Sequence, residues 1–155
     1  MISEVSIDRL CFKITHCPTF PEACILWFRD AGRASQFRVL GRFSSFSQKS
    51  VLNFILRYAV SPKLRVEVDR RRFMQRVQAL PPNFFIDIER LSPKEKQRVF
   101  AEFFGAGSLF EYLDPPTKRR ILAKRFHPDA GGDPQAMRVI NEVFDCLRAA
   151  PVTGA

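Results

Sequence analysis

The stretch Lys118-Arg119-Arg120-Ile121-Leu122-Ala123-Lys124-Arg125-Phe126-His127-Pro128-Asp129-Ala130-Gly131-Gly132-Asp133-Pro134 decides how this chain is read. Its first half carries five cations and no acid. Leu122 and Phe126 are four residues apart and share one helical face, with Arg120 and Lys124 roughly opposite and Arg125 at the flank. Pro128 cannot continue a helix and turns His127 away from helical angles, so the two polar side chains, His127 and Asp129, project from a rigid corner. A carboxylate there accepts hydrogen bonds from an arginine-rich partner, and a neutral imidazole both donates and accepts. The cations behind it suit an acidic protein surface, where such fields raise encounter rates and fix orientation.

Working outward, the helix starts on either side are unusually explicit. Ser92-Pro93-Lys94-Glu95 supplies a capping serine, a proline at the first helical position and a glutamate at the third. Asp114-Pro115 and Asp133-Pro134 repeat the pattern of an acid followed by proline, in which the carboxylate accepts from orphan amides and proline lacks an amide to orphan. These signals predict helices over about 93–104, 115–126 and 134–149. The first should stop at Gly105-Ala106-Gly107, and the third carries an apolar stripe of Met137, Ile140, Phe144 and Leu147.

The segment from Lys118 to Asp129, followed by Asn141-Glu142-Val143-Phe144-Asp145-Cys146-Leu147, resembles the J domain of DnaJ-type co-chaperones. In that family a basic second helix ends in His-Pro-Asp and a third helix packs antiparallel against it. The resemblance spans roughly residues 93–149 and is strongest over 118–147. It implies a helical hairpin that docks on a DnaK-type heat-shock chaperone through His127, Pro128, Asp129, Lys118, Arg119, Arg120, Lys124 and Arg125. It also implies that the loop biases the chaperone toward its ATP-hydrolysing, client-clamping state, so that catalysis belongs to the partner and this chain is not itself an enzyme. No glycine-rich phosphate loop with a lysine is present, and no cofactor is expected.

The first ninety residues read as mixed strand and helix. Cys24–Arg29 and Gln36–Phe43 look like two strands around a turn containing Gly32. In the second of them Phe37, Val39 and Phe43 alternate with Arg38 and Arg42, which predicts solvent-facing arginines if the aromatics face a core. Residues 49–59 predict a helix. Leu64, Val66 and Val68 alternate with Arg65, Glu67 and Asp69 and predict a half-buried strand, followed by a helix over 70–80 and a short strand over 84–88.

A chain of 155 residues with 46% apolar and 26% charged content is long enough for one ordinary domain or two small ones with a real core. Cys11, Cys17 and Cys24, with His16 adjacent, are six and seven residues apart, which does not match the compact pairs of structural zinc sites, and Cys146 stands alone. Buried free thiols are the plainer reading, and no metal site is expected. The absence of a secretory leader or a long apolar run predicts a cytoplasmic protein without membrane contact.

The net charge of +9 is uneven: residues 1–90 hold fifteen Lys+Arg against eight Asp+Glu, residues 91–155 ten against eight. A basic N-terminal part raises the odds of a polyanionic partner. The expectation is an α+β chain with a mixed strand and helix adaptor domain over 1–90, target unknown, and a J-like helical domain over 91–150. The runner-up is a basic nucleic-acid-binding protein in which Arg70-Arg71-Arg72 contacts phosphates, the Phe-rich strands offer an aromatic platform for bases and the J-like hairpin is structural or degenerate.

Overall fold

The computed structural model describes residues 2–33, 36–45, 47–104 and 110–149, with the side chains of 102, 104 and 146–149 outside that description. The chain is α+β. Four strands, β1 (Ser3–Ile7), β2 (Leu10–His16), β3 (Cys24–Asp30) and β4 (Arg38–Phe43), form an antiparallel sheet in sequential order. Helices follow: α1 (Gln48–Val60), α2 (Pro62–Gln78), the short α3 (Phe84–Asp87) with a 3₁₀ turn over Ile88–Arg90, α4 (Pro93–Phe104), α5 (Pro115–Phe126) and α6 (Pro134–Ala149). The last three have the bounds that their cap signals predict. The Gly105-Ala106-Gly107 stop and the Leu147 end of the α6 stripe lie outside the description.

Contacts divide the chain into two compact units, Met1–Glu67 and Val68–Ala155, with the division inside α2. In the first, β1 and β2 join through Asp8-Arg9, where Asp8 takes the left-handed conformation (φ 53°) that short polar residues tolerate in tight hairpins. One sheet face carries Phe12, Ile14, Leu26 and Phe28. Tyr58 of α1 meets Phe12 and Phe28 edge-on, with centroids at 6.1 and 5.1 Å. Val51, Ile55 and Tyr58, spaced four and three apart, are the buried stripe of α1.

Arg38 corrects the alternation read for β4. The register slips by one residue between Leu26↔Gly41 and Trp27↔Val39, leaving Leu40 as the extra residue of a bulge. Arg38 therefore pairs with Phe28 and shares its core face, buried with its guanidinium 5.3 Å from the Phe28 ring, while Arg42 remains exposed.

The strand expected over 64–69 is part of α2. Ser61 caps this helix, its Oγ accepting from the Leu64 amide at 3.1 Å, and Pro62 follows at the first position. Arg65 donates to the carbonyls of Tyr58 and Ala59, both at 2.9 Å, satisfying the end of α1. The strand expected over 84–88 is α3 and its 3₁₀ turn: Phe85 and Ile88, three apart, are the buried pair.

The second unit has its own core, in which Phe73, Val77, Leu80, Phe85 and Ile88 join Phe103, Leu122, Phe126, Ile140 and Phe144. Each fully buried phenylalanine contributes roughly 2 kcal/mol of hydrophobic stabilisation. Residues 68–90 supply part of the core that α5 and α6 need. Among the described residues no helix is long and apolar enough to cross a membrane.

Candidate functional site

Asp114 starts α5 by accepting the Thr117 amide at 2.8 Å. Hydrogen bonds from the Thr117 hydroxyl and amide hold its carboxyl below the usual carboxylate range. Leu122 and Phe126 face inward as expected. The helix ends at His127, whose amide donates to the Ala123 carbonyl at 2.8 Å before the backbone turns extended (φ −65°, ψ 141°).

From there a single 3₁₀ turn, Pro128–Ala130, holds the loop. The Ala130 and Gly132 amides both donate to the His127 carbonyl, at 2.9 and 3.0 Å, and the Gly131 amide donates to the Pro128 carbonyl at 3.0 Å. The Asp129 amide donates to His127 Nδ1 at 3.1 Å. Gly131 adopts φ 87°, and a Cβ on Gly132 would overlap the Phe126 carbonyl. Asp133 then caps α6 by accepting from the Gln135 amide at 2.8 Å. The corner is built from backbone bonds and presents its side chains outward: the His127 side chain is 47% exposed and that of Asp129 93%.

The five cations of α5 separate into two groups. Arg120 and Lys124 are exposed and, with Arg119, Ala123, His127, Asp129 and Ala130, border a shallow groove leading to the loop. Lys118 departs from the expected docking face. It is 1% exposed, its pKa lowered to about 8 by burial against the opposing pull of Asp69 and Asp114. Asp69, itself buried in α2, accepts the Tyr112 amide at 2.9 Å.

Arg119 and Arg125 also have internal tasks. Arg119 sends Nε and Nη2 to Asn141 Oδ1, at 3.2 and 2.6 Å, and lies 5.4 Å from the Phe144 ring. Arg125 donates to the Val77 and Leu80 carbonyls at the end of α2. Sequence reasoning missed this use, because nothing near residue 125 reports that α2 ends beside it.

The cysteines do not converge. Cys24 lies on the core face of β3, where burial pushes its thiol up, and Cys11 points to the opposite face. Cys17 sits in the loop after β2, lowered by backbone hydrogen bonds from Phe20 and Thr19. Cys146 has no described side chain. Among the described residues no cluster of His, Cys, Asp and Glu is placed to hold a metal ion. On the sheet face away from α1, Lys13 Nζ lies 5.3 Å from the Trp27 ring and 4.7 Å from the Phe37 ring, and Arg29 lies 5.1 Å from Phe37. Phe12 and Phe28, on the face that packs against α1, are fully buried and offer bases no ring surface.

Comparison with protein-family models, curated proteins and solved structures returns no match.

Proposed function

We propose that this chain is a co-chaperone that recruits a DnaK-type heat-shock chaperone and stimulates its ATP hydrolysis through the His127-Pro128-Asp129 loop. The observation that carries this reading is the loop itself: an imidazole and a nearly fully exposed carboxylate, fixed by backbone hydrogen bonds at the end of a helix whose outer face is cationic. A loop held this way loses little conformational entropy on docking. Its Asp129 carboxylate suits a guanidinium of the partner, in the charge-assisted geometry that confers most specificity.

The mechanism is a population shift. The loop and the cations behind it bind one conformation of the chaperone better than the other, so hydrolysis, carried out by the chaperone's own residues, becomes faster. The unit Met1–Glu67 acts as the adaptor that sets where the chaperone works. Steady-state ATP turnover by a DnaK-type chaperone tests the reading. The native chain accelerates turnover and His127→Gln does not; a native chain without effect removes the proposal.

A further inference from the structure

The two outer strands of the sheet in the first unit, β1 and β4, are not alike. β4 carries the bulge at Leu40 and the exposed Arg42, features that discourage pairing with a further strand. β1, Ser3-Glu4-Val5-Ser6-Ile7, has neither lysine nor proline, and Glu4 is its one charge. Its hairpin with β2 closes at Ile7↔Leu10 over a two-residue turn, so the backbone groups of Ser3, Val5 and Ile7 face β2 while those of Glu4 and Ser6 point outward. Phe54, on one flank of α1, meets Phe43 of β4 with centroids 6.0 Å apart. On the opposite flank Leu52 joins Ile2, Val5 and Ile14 around an open cleft of roughly 280 Å³ beside β1. Leu56, one turn further along that flank, is 54% exposed.

We infer that β1 is an interface between two copies of this chain: the strands pair antiparallel about a two-fold axis at Val5, and Leu52 and Leu56 of both copies meet on the α1 face of the joined sheet. In this register Val5 faces its own equivalent, Ser3 faces Ile7 and Glu4 faces Ser6, with Glu4 and Ser6 making the hydrogen-bonded pairs. The strand's one charge therefore meets a hydroxyl and not its equivalent. Gln48, Leu52 and Leu56 leave the helix flank uncharged, so two copies of a +9 chain bring no like charges together along it. The pairing is isologous and uses β1 of both copies, while the bulged β4 stays outermost, so assembly closes at a dimer.

A lone extended segment of another protein would bring one layer to this edge, whereas a second copy brings strand and helix together and matches both. A five-residue strand is about 17 Å long and a helix layered on a sheet is about 20 Å deep, so each copy offers about 350 Å². That is under half of what a standard interface buries per partner, which makes the dimer weak and concentration-dependent. The inference goes beyond the co-chaperone reading and does not depend on it.

The test is sedimentation velocity of the full chain, native and variant, from about 1 to 300 µM, with thermal melts to confirm folding. The native chain is expected to pass from monomer to dimer with a midpoint on the order of 10–100 µM. Ser6 is exposed on the sheet face away from α1, so its substitutions leave the core untouched. Ser6→Lys, set against Glu4 of the second copy twice in each dimer, should lower the midpoint about fivefold, and Ser6→Glu should raise it about fivefold. Both effects run against net charge, which Ser6→Lys increases and Ser6→Glu decreases. Leu56→Glu should raise the midpoint by about tenfold or more, since it places two charges in the contact. A native chain that stays monomeric to about 300 µM, or dimerises with a midpoint indifferent to Ser6 and Leu56, overturns the interface. A monomeric native chain that binds a peptide of alternating valine and serine, and loses it in Leu56→Glu, assigns the edge to a foreign strand and overturns the second-copy proposal.

Discussion

The Asp129 amide and the Asp129 carboxylate compete for one atom of His127: the amide donates to Nδ1 at 3.1 Å, and a carboxylate oxygen stands 3.5 Å from the same nitrogen. While Nδ1 accepts the amide it carries no proton, so the neutral ring bears its hydrogen on Nε2 and offers a donor to a partner.

Two amide substitutions separate the tasks of His127. Asn places an acceptor near the Nδ1 position and keeps the Asp129 amide paired, but lacks the reach of Nε2. Gln extends outward but gives up the internal bond, at a cost of roughly 0.5–1 kcal/mol. Thermal denaturation should find His127→Asn close to native and His127→Gln slightly weakened, with both failing to stimulate a DnaK-type chaperone. Full stimulation by either shows that the imidazole is dispensable.

Gly132→Ala should be the more damaging of the two glycine changes in the loop. A Cβ at Gly132 meets the Phe126 carbonyl, so the loop must open at the end of α5, at roughly 2 kcal/mol or more. At Gly131 there is open space around the site, and the cost is that of φ 87° alone, about 1 kcal/mol. Chemical denaturation of the two alanine variants checks the order; equal or reversed losses contradict the loop geometry.

The loop was legible in advance because its determinants are local: a proline, two glycines and capping acids within eight residues. The helices over 93–104, 115–126 and 134–149 were legible for the same reason. Ser61-Pro62 carries the signal found at Ser92-Pro93, but the alternation from Leu64 to Asp69 competed with it, and the capped helix won once Arg65 could satisfy the end of α1. Arg38 was misplaced because a bulge at Leu40 leaves no local mark in composition. Of the candidate site, the exposed corner was readable, whereas the burial of Lys118 depends on Asp69 and the role of Arg125 on Val77 and Leu80, distant residues whose proximity no spacing rule reports.

Lys118 makes stability depend on pH in the alkaline range. Burial lowers its pKa from 10.5 to about 8, so between those values the folded chain binds fewer protons at this site than the unfolded chain. Stability contributed by this group therefore rises as pH increases through that window, by on the order of 2 kcal/mol. Denaturation series for native and Lys118→Met chains isolate the effect: the variant lacks this gain. At neutral pH Lys118→Met should be at least as stable as native, because relief from desolvating the ammonium outweighs the lost attraction of Asp69 and Asp114.

Arg125→Ala should lower stability by about 1–2 kcal/mol, since two carbonyls at the end of α2 lose their donor. Arg125→Lys should recover part of it, a single ammonium replacing a fork. Chaperone affinity of the folded Arg125→Ala protein should stay within about twofold of native. A large loss of affinity without loss of stability places Arg125 on the docking face instead.

Single-turnover hydrolysis of ATP preloaded on a DnaK-type chaperone tests the central claim most directly, comparing the native chain with Asp129→Asn. The native chain should accelerate the step about tenfold or more, a change worth about 1.4 kcal/mol in the barrier. Asp129→Asn should leave the rate near that of the chaperone alone while melting at the native temperature. Equal acceleration by both proteins, or none by the native chain, contradicts the assignment of the loop as the chaperone-activating element.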